Sequence, residues 1–518
     1  MTGHRLAGYP ERRPRRRRLR HSEIPIPARM MFQDLPEDIL RSVFSSCDVY
    51  AVLAVGRMNK YLHRLSRERL IWVNLVENLR RSGFIDQLSF SDIQSQSPEA
   101  LVTLVKGLLT GPASWTPKKL KTSFITRFIP WSSHQAHSRA EISRQFIVHS
   151  QADRWNSPQL LAGGEYVLFK NLTLECWSVR QDKLVWSYET NGPNSFVFVT
   201  VFGAQVIAGG EQANILVCER VGTAGDGDFH SSVQIVNLDF ETGVSTSLLS
   251  DLYQDDKYFT DAQVCGNVAC LRLREYGRED GNEAWPFKDY CILMDWQTGS
   301  HLKLAANISA TSLLARLLPN HVLFLADDRS GCPEISLFNT TAFSRHWRRT
   351  ASQSPLDTLY VSDLEAVTRE SVTLGADAPL YPWYRDLCAH ASPVEEGTFR
   401  VRVQLAGFDL RWHAVAYRYR LRLPNAMRPG VVWQRLEAQR ADHMSALLGT
   451  SYAGHKLRLY RYRDGRQSVY TVTHPRDPSY AVAFNLPDDT PAPHVSTYTG
   501  ALTYYAPSHN SVVVAYFK

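Results

Sequence analysis

Ile235-Val-Asn-Leu-Asp-Phe-Glu-Thr-Gly243 and Ile292-Leu-Met-Asp-Trp-Gln-Thr-Gly299 are two versions of one pattern, with their Thr-Gly turns 56 positions apart. Each is a short apolar run that meets an Asp and ends on a polar turn closed by Gly, which reads as a strand leaving through a tight turn. The same rhythm recurs outward in both directions. Glu165-Tyr-Val-Leu-Phe169 leads to Leu174-Glu-Cys-Trp-Ser-Val179 and then to Leu184-Val-Trp186. His321-Val-Leu-Phe-Leu325 precedes Glu334-Ile-Ser-Leu-Phe338, and Tyr498-Thr-Gly-Ala-Leu-Thr-Tyr504 precedes Val512-Val-Val-Ala-Tyr516. Residues 399–405 and 417–423 alternate apolar and polar, as strands with one buried face do. Several short strands repeating at about 40 to 55 residues indicate propeller blades. A four-stranded blade cannot bury both faces alone, so blades pack around an axis. Residues 151–518 have room for about six to eight of them at that period. The last strands, ending at Phe517, are expected to complete a blade begun by the first ones. A pair of β-sandwiches is the competing architecture. Residues 340–396 are loop-rich, and no blade boundary is readable there.

The front of the chain has a different period. Residues 34–75 read DLPEDILRSVFSSCDVYAVLAVGRMNKYLHRLSRERLIWVNL. Pro36 suits a first helical turn, and Glu37 and Asp38 place negative charge at the positive end of the helix dipole. Leu35, Ile39, Leu40, Val43 and Phe44 recur at helical spacing. Asp48 is positioned to cap a second helix over residues 49–55. A third is expected from near Arg57, and Leu70, Ile71, Trp72 and Leu75 close the unit. Such a stripe packs either on the rest of the same protein or on a partner. Ser97-Pro98-Glu99 starts a further helix over residues 100–109, with Leu101, Leu104, Val105 and Leu108 on one face and Gly111-Pro112 as its stop. Residues 113–150 read as a connector able to add an edge strand.

This ordered set (Leu-Pro start, Ile-Leu pair, Val-Phe pair, middle helix, closing Trp) resembles an F-box. The resemblance covers about 42 residues, with Gly56 and Met58 where the family often has a Cys or Val and a basic residue. It implies docking on the Skp adaptor of a cullin-RING ubiquitin ligase, with Leu35, Pro36, Ile39, Leu40, Val43, Phe44, Leu53 and Val55 at or under the contact. The layout as a whole resembles the F-box proteins with a WD-like or quinoprotein-like propeller that are numerous in mushroom-forming fungi. Residues 160–177 and Trp115 carry that likeness, although clean Gly-His to Trp-Asp blade signatures are missing. The expected fold is thus multidomain α + β: an Arg-rich disordered tail (residues 1–30), an F-box (31–76), a helical linker and connector (77–150) and an all-β propeller-like substrate-recognition domain (151–518).

Composition limits the rest. The longest apolar runs fall well short of a membrane span, and the basic N-terminus lacks the apolar stretch of a secretory signal. Eight cysteines without a CxxC pair favour a reducing, cytoplasmic or nuclear setting. Residues 1–20 carry eight arginines and one Glu, a charge of +7 that equals the formal charge of the whole chain. The basic pI therefore describes a tail. Its run Arg12, Arg13, Arg15, Arg16, Arg17, Arg18 and Arg20 is too like-charged to fold alone. A solvated tail, a nuclear-import signal and contact with nucleic acid are its three readings, and nucleic acid is expected nowhere else.

No HExxH, GxSxG or Walker pattern is present. Gly222-Thr-Ala-Gly-Asp-Gly227 has no helix after it and reads as a loop. Cys265 and Cys270, an odd number apart, should point to opposite faces of a strand, and Asp327-Asp328 and Asp488-Asp489 read as turn formers. Arg418, Arg420 and Arg422 share one face of a strand, as a solvated surface or as a cationic patch for an acidic degron or phosphate. Tyr381-Pro-Trp-Tyr384 could anchor a peptide or cover the core. The expected role is therefore that of a non-catalytic substrate adaptor, with no cofactor and no metal. Its partners would be the Skp adaptor, cullin through it, and a protein target. A non-ligase scaffold is the second reading and a quinoprotein-like propeller enzyme the third.

Overall fold

The computed structural model describes residue 32 and residues 35–116, 138–149 and 158–518, apart from 171–172, 189–194, 224–228, 254–257, 277–286, 307–312, 350–356, 373–381, 408–413, 425–428, 442–444, 462–467, 476–479, 485, 488–489 and 491–492. The Arg-rich run at residues 12–20, the Asp488-Asp489 pair, most of the 222–227 glycine stretch and the side chains of Tyr381-Pro-Trp-Tyr384 lie outside what is described.

Among the described residues six helices come first: α1 (Glu37–Ser46), α2 (Val49–Val55), α3 (Lys60–Leu65), α4 (Arg69–Arg81), α5 (Phe90–Ser95) and α6 (Pro98–Thr110). Short polar side chains start most of them. Asp48 accepts from the Ala51 amide at 2.6 Å, Asn59 from Leu62 at 2.8 Å, and Ser89 forms a capping box with Asp92. Each such cap contributes about 1 kcal/mol. Pro36 sits one residue earlier than expected, at the cap of α1. Helix α4 runs straight through residue 76, where the sequence reading ended the F-box. The helical region is one packed unit, because Leu40, Phe44, Val52, Ile71, Val76, Leu101 and Val105 belong to a single apolar core.

Seven sheets follow, arranged as the blades of a propeller. Blades 1 to 7 occupy residues 159–187, 195–253, 258–305, 314–371, 382–441, 445–484 and 494–517, within the expected six to eight. Ring closure is by the front of the chain, as anticipated, but the closing strand precedes residue 151. Ile142–Val148 pairs antiparallel with Ser511–Phe517 and forms the outer edge of blade 7. Ser138–Arg139 pairs parallel with the outer strand of blade 6. Two segments of the connector therefore belong to the propeller.

The repeated motif holds the same place in two blades. The third strand of blade 2, Phe229–Asp239, and that of blade 3, Phe287–Asp295, each end on an Asp that closes the turn. Asp239 accepts from the amide and hydroxyl of Thr242 at 2.9 and 2.8 Å, and Asp295 accepts from the amide of Gln297 at 3.1 Å. Gly243 and Gly299 follow with φ of 69° and 65°, where a β-carbon would be strained. Residues 340–396 were unreadable for a topological reason. After its third strand, blade 4 sends Arg348–Arg349 and Thr358–Tyr360 to the outer strand of blade 3 before Thr368–Ser371 returns as its own edge.

Apolar clusters seal six of the seven junctions between neighbouring blades. Among the described residues, blades 5 and 6 share no such cluster. Their junction buries Arg402, Gln404, Thr450, Lys456, Arg458, Thr471 and Thr473.

The helical unit is fixed to the propeller by specific contacts. Trp115, fully buried, lies among blade 6 and 7 residues, and the Ser114 amide donates to the Lys518 carbonyl at 2.7 Å. Gln87 donates through its side chain to the Gly164 carbonyl at 2.7 Å. Phe84 meets Tyr498 edge-on at 4.7 Å, and the Tyr50 amide donates to the Val394 carbonyl at 2.8 Å. Asp86 is buried in this seam and accepts from the Thr499 hydroxyl at 2.6 Å.

Burial pushes the Asp86 carboxyl up to about 6. An unfolded Asp titrates near 3.8, so the folded state prefers the protonated acid. That preference is fully present below pH 4 and is lost as the pH rises through 6. Above pH 7 the carboxylate is held at a cost of about 3 kcal/mol, from roughly two units at about 1.4 kcal/mol each. Asp86→Asn keeps an oxygen for Thr499 and removes the charge. Urea unfolding should show the variant more stable than the parent at pH 7.5 and about equal at pH 4. A stability difference that does not change with pH would contradict this account.

Candidate partner-docking site

Helix α1 divides its apolar residues between two jobs. Leu40 and Phe44 are buried at 0% and 1% exposure in the helical core, where Phe44 also meets Phe32. Ile39 is 46% exposed, Pro36 is exposed, and Val43 is half-buried. Pro36, Ile39 and Val43 follow three- and four-residue steps and so line one side of the helix. Helix α2 repeats the division: Val49 and Val52 face the core, while Tyr50 and Leu53 are 51% and 46% exposed. Leu35 and Val55 are half-buried and pack on the helical core. Of the eight residues named from the F-box resemblance, two are thus interior supports, three are open to solvent and three lie between. Met58 and Leu70, outside that set, are still more exposed, at 72% and 59%.

The exposed side is held in a defined pose. Arg41 donates to Glu37 at 2.9 Å and to Glu68 at 2.6 and 3.1 Å, tying α1 to the start of α4. The Arg41 hydrogen bond holds the Glu68 carboxyl below its usual range. The Trp72 indole donates to the Ser66 carbonyl at 3.0 Å inside the core, so the closing Trp is structural. The propeller touches α2 from the side of Tyr50 and Asp48, whose carboxylate accepts from the Glu396 amide at 3.2 Å.

The three strand arginines separate. Arg420 and Arg422 both donate to Glu395, a carboxylate near the tip of the hairpin that touches α2. They form an ion-pair cluster with Glu395, in which the Arg420 side chain stays 37% exposed, and are not an open cationic patch. Arg418 lines a cavity and donates to the Pro475 carbonyl at 3.3 Å. Arg402, which the sequence reading did not single out, stands opposite Arg418 on the adjacent strand. The alternation of residues 399–405 already placed it on that face, but only the register shows which arginine it meets.

Other candidates resolve locally. Asp328 closes a turn by accepting from the amides of Ser330 and Cys332 at 2.8 and 2.9 Å. Asp327 is no turn former: it is a buried strand residue paired with Arg385. Cys265 and Cys270 lie on successive strands, and the sulfur beside Cys270 is that of Cys291, at 3.2 Å. Among the described residues no group of three His, Cys, Asp or Glu is placed to hold a metal ion, and no helix is long and apolar enough to cross a membrane.

No family model and no curated protein matches the chain. Solved structures similar to it include the WD40 domain of SCAP from fission yeast, at 12% identity over 74% of this chain and 97% of that one, with a TM-score of 0.38. The β-propeller domain of the Trilobed protease from Pyrococcus furiosus is 9% identical over 60% and 79%, with a TM-score of 0.30. Drosophila Semaphorin 1b, extracellular domains 1-2, is 10% identical over 74% and 88%, with a TM-score of 0.27.

Proposed function

We propose that this protein is the substrate-recognition subunit of a Skp–cullin–F-box ubiquitin ligase, its helical unit docking the Skp adaptor and its propeller holding a protein target. The observation that carries this reading is the divided use of α1 and α2. Leu40, Phe44 and Val52 are spent on the helical core, while Ile39 and Leu53 stay open to solvent on the same two helices. Exposed apolar side chains in a fixed pose are what a partner covers. The close packing of the helical unit on the propeller supports the same reading. A target bound on the blades would be held at a set distance from the ligase, which raises its effective concentration at the conjugating enzyme. The chain itself would carry out no bond chemistry.

The test is co-expression with a Skp adaptor and cullin followed by capture of the full chain. The parent should retain both. Ile39→Asp with Leu53→Asp should weaken adaptor capture by about 100-fold or more, because it forces two carboxylates into an apolar contact. The melting temperature should stay near the parent's, since both positions are exposed. Leu35→Ala with Pro36→Ala should also lose capture. Retention of the adaptor without cullin would favour a non-ligase scaffold, and failure of the parent to hold the adaptor would overturn the proposal.

A further inference from the structure

The junction between blades 5 and 6 is lined by charge where, among the described residues, an apolar cluster seals each of the other six. In blade 5, Thr398–Gly407 and Ala414–Arg422 pair so that Arg400 faces Arg420 and Arg402 faces Arg418. Like charges directly opposite destabilise a bare sheet. The alternate residues Val401, Val403, Tyr417 and Tyr419 pack toward blade 4, which leaves the arginine face to blade 6. Blade 6 contributes Lys456 and Arg458 from one face of its second strand, at 3% and 5% exposure.

Among the described residues, nearby carboxylates do not balance Arg402. Glu395 is taken by Arg420 and Arg422. Asp386 acts on Arg402 through space, against the opposing charges of Arg418 and Arg458. Arg418, Lys456 and Arg458 each have partners of their own. Arg402 does not have enough: it is 8% exposed, its Nη2 donates to Gln404, and among the described residues its Nε and Nη1 have no acceptor. A guanidinium keeps its charge at any accessible pH, so it cannot escape burial by releasing a proton.

Arg402 borders a cavity of about 480 Å³ between the two blades, roofed by Leu109 and Thr110 at the end of α6. Arg400, Arg418, His390, His474 and Tyr452 also line it, and no carboxylate is among its described lining residues. Arg400 lies over the Tyr452 ring at 4.0 Å and donates to its carbonyl at 2.8 Å. The Nε2 of His390 is buried without a partner. Burial and the charges of Arg316, Arg402 and Arg400 hold that ring neutral, with a pKa of about 4. The arginine lining, the unpaired donors of Arg402 and the lack of a described carboxylate together favour a bound anion.

The geometry points to a binding site in this cavity for a small phosphate-bearing molecule, its phosphate oxygens accepting from the unpaired N–H groups of Arg402 on Nε and Nη1. Guanidinium N–H groups form charge-assisted hydrogen bonds to phosphate, which offers more acceptor oxygens than a single carboxylate. The volume is that of a small-molecule pocket and exceeds what one inorganic phosphate needs. Leu109 and Leu436 supply apolar wall for the remainder. Occupancy would neutralise the blade junction that, among the described residues, lacks an apolar seal, and would tie the end of α6 to it. The site is independent of the helical docking face.

Pyrophosphate is the probe. Calorimetric titration of the full chain should show saturable binding at one site, and pyrophosphate should raise the melting temperature above that in sodium chloride of equal ionic strength. Arg402→Gln should weaken binding at least tenfold and abolish the rise, with Arg402→Lys between the two. If Arg402→Gln fails to fold, Arg418→Gln should still weaken binding several-fold. A melting shift that chloride reproduces, or binding unchanged in Arg402→Gln, overturns the site. Equal binding of malonate overturns the preference for phosphate. Binding of a phosphoserine peptide without pyrophosphate overturns the small-molecule assignment.

Discussion

Trp115→Ala should lower the unfolding free energy by about 3–5 kcal/mol, the range for truncating a fully buried aromatic side chain. Trp115 has no exposed surface and sits among Leu457, Phe484, Leu502 and Phe517. Its ring meets Phe517 and His455 at 5.4 Å and Phe484 at 5.8 Å. Gly500 leaves room for it, since a β-carbon there would come within 2.9 Å of the indole. The effect should spread beyond one cavity. Trp115 is where the helical unit meets both the closing blade and the blade beside it, and the adjacent Ser114 amide holds the C-terminal carbonyl. Limited proteolysis of the variant should therefore cut between the helices and the propeller sooner than in the parent. Trp115→Phe, which keeps most of the ring contact, should lose less than half as much. Equal melting temperatures for Trp115→Ala and the parent would show that the joint is held by its hydrogen bonds alone.

What the sequence made legible follows from what is local. The Asp–Thr–Gly turns of blades 2 and 3 were readable because the Asp closes its own turn within three residues. Helix α2 was readable to the residue because Asp48 caps it, and α6 because Ser97 and Pro98 open it. The fold class follows from such units repeated. The path of residues 340–396 was not legible, because strands of two or three residues join a neighbouring blade and carry no alternation of their own. The closing strand was hidden for the same reason: Ile142–Val148 is exposed along most of its length and pairs only with the far end of the chain. At the docking face, helical spacing identified the apolar residues but could not divide them. Ile39 and Leu40 are neighbours in the chain, and only packing shows one open and the other buried. At the arginine cluster, Arg418, Arg420 and Arg422 looked equivalent, and Glu395 separates them from a loop that spacing alone could not place.

Asp327 gives the second large expectation. Placed beside Asp328 in a polar stretch, it read as a turn former, yet its side chain is 3% exposed at the end of a strand whose seven residues are all buried. Arg385, 5% exposed on the first strand of blade 5, donates to its two oxygens at 2.5 and 2.9 Å. The pair joins blade 4 to blade 5 by a two-point contact. Two buried charges attract strongly, but each has also lost its water, so the intact pair adds little net stability. Removing one partner is different. Arg385→Leu leaves a carboxylate buried without its counter-ion and should cost about 3–5 kcal/mol. Asp327→Leu alone should cost a similar amount by stranding the guanidinium. Combining Asp327→Leu with Arg385→Leu removes both charges and should recover most of the loss, so the double-mutant cycle should show a coupling of at least about 2 kcal/mol. Urea unfolding of the four proteins measures it. If the two single losses simply add, the pair does not couple the blades, and the apolar contacts of Leu387, Val401 and Val403 with blade 4 hold that junction without it.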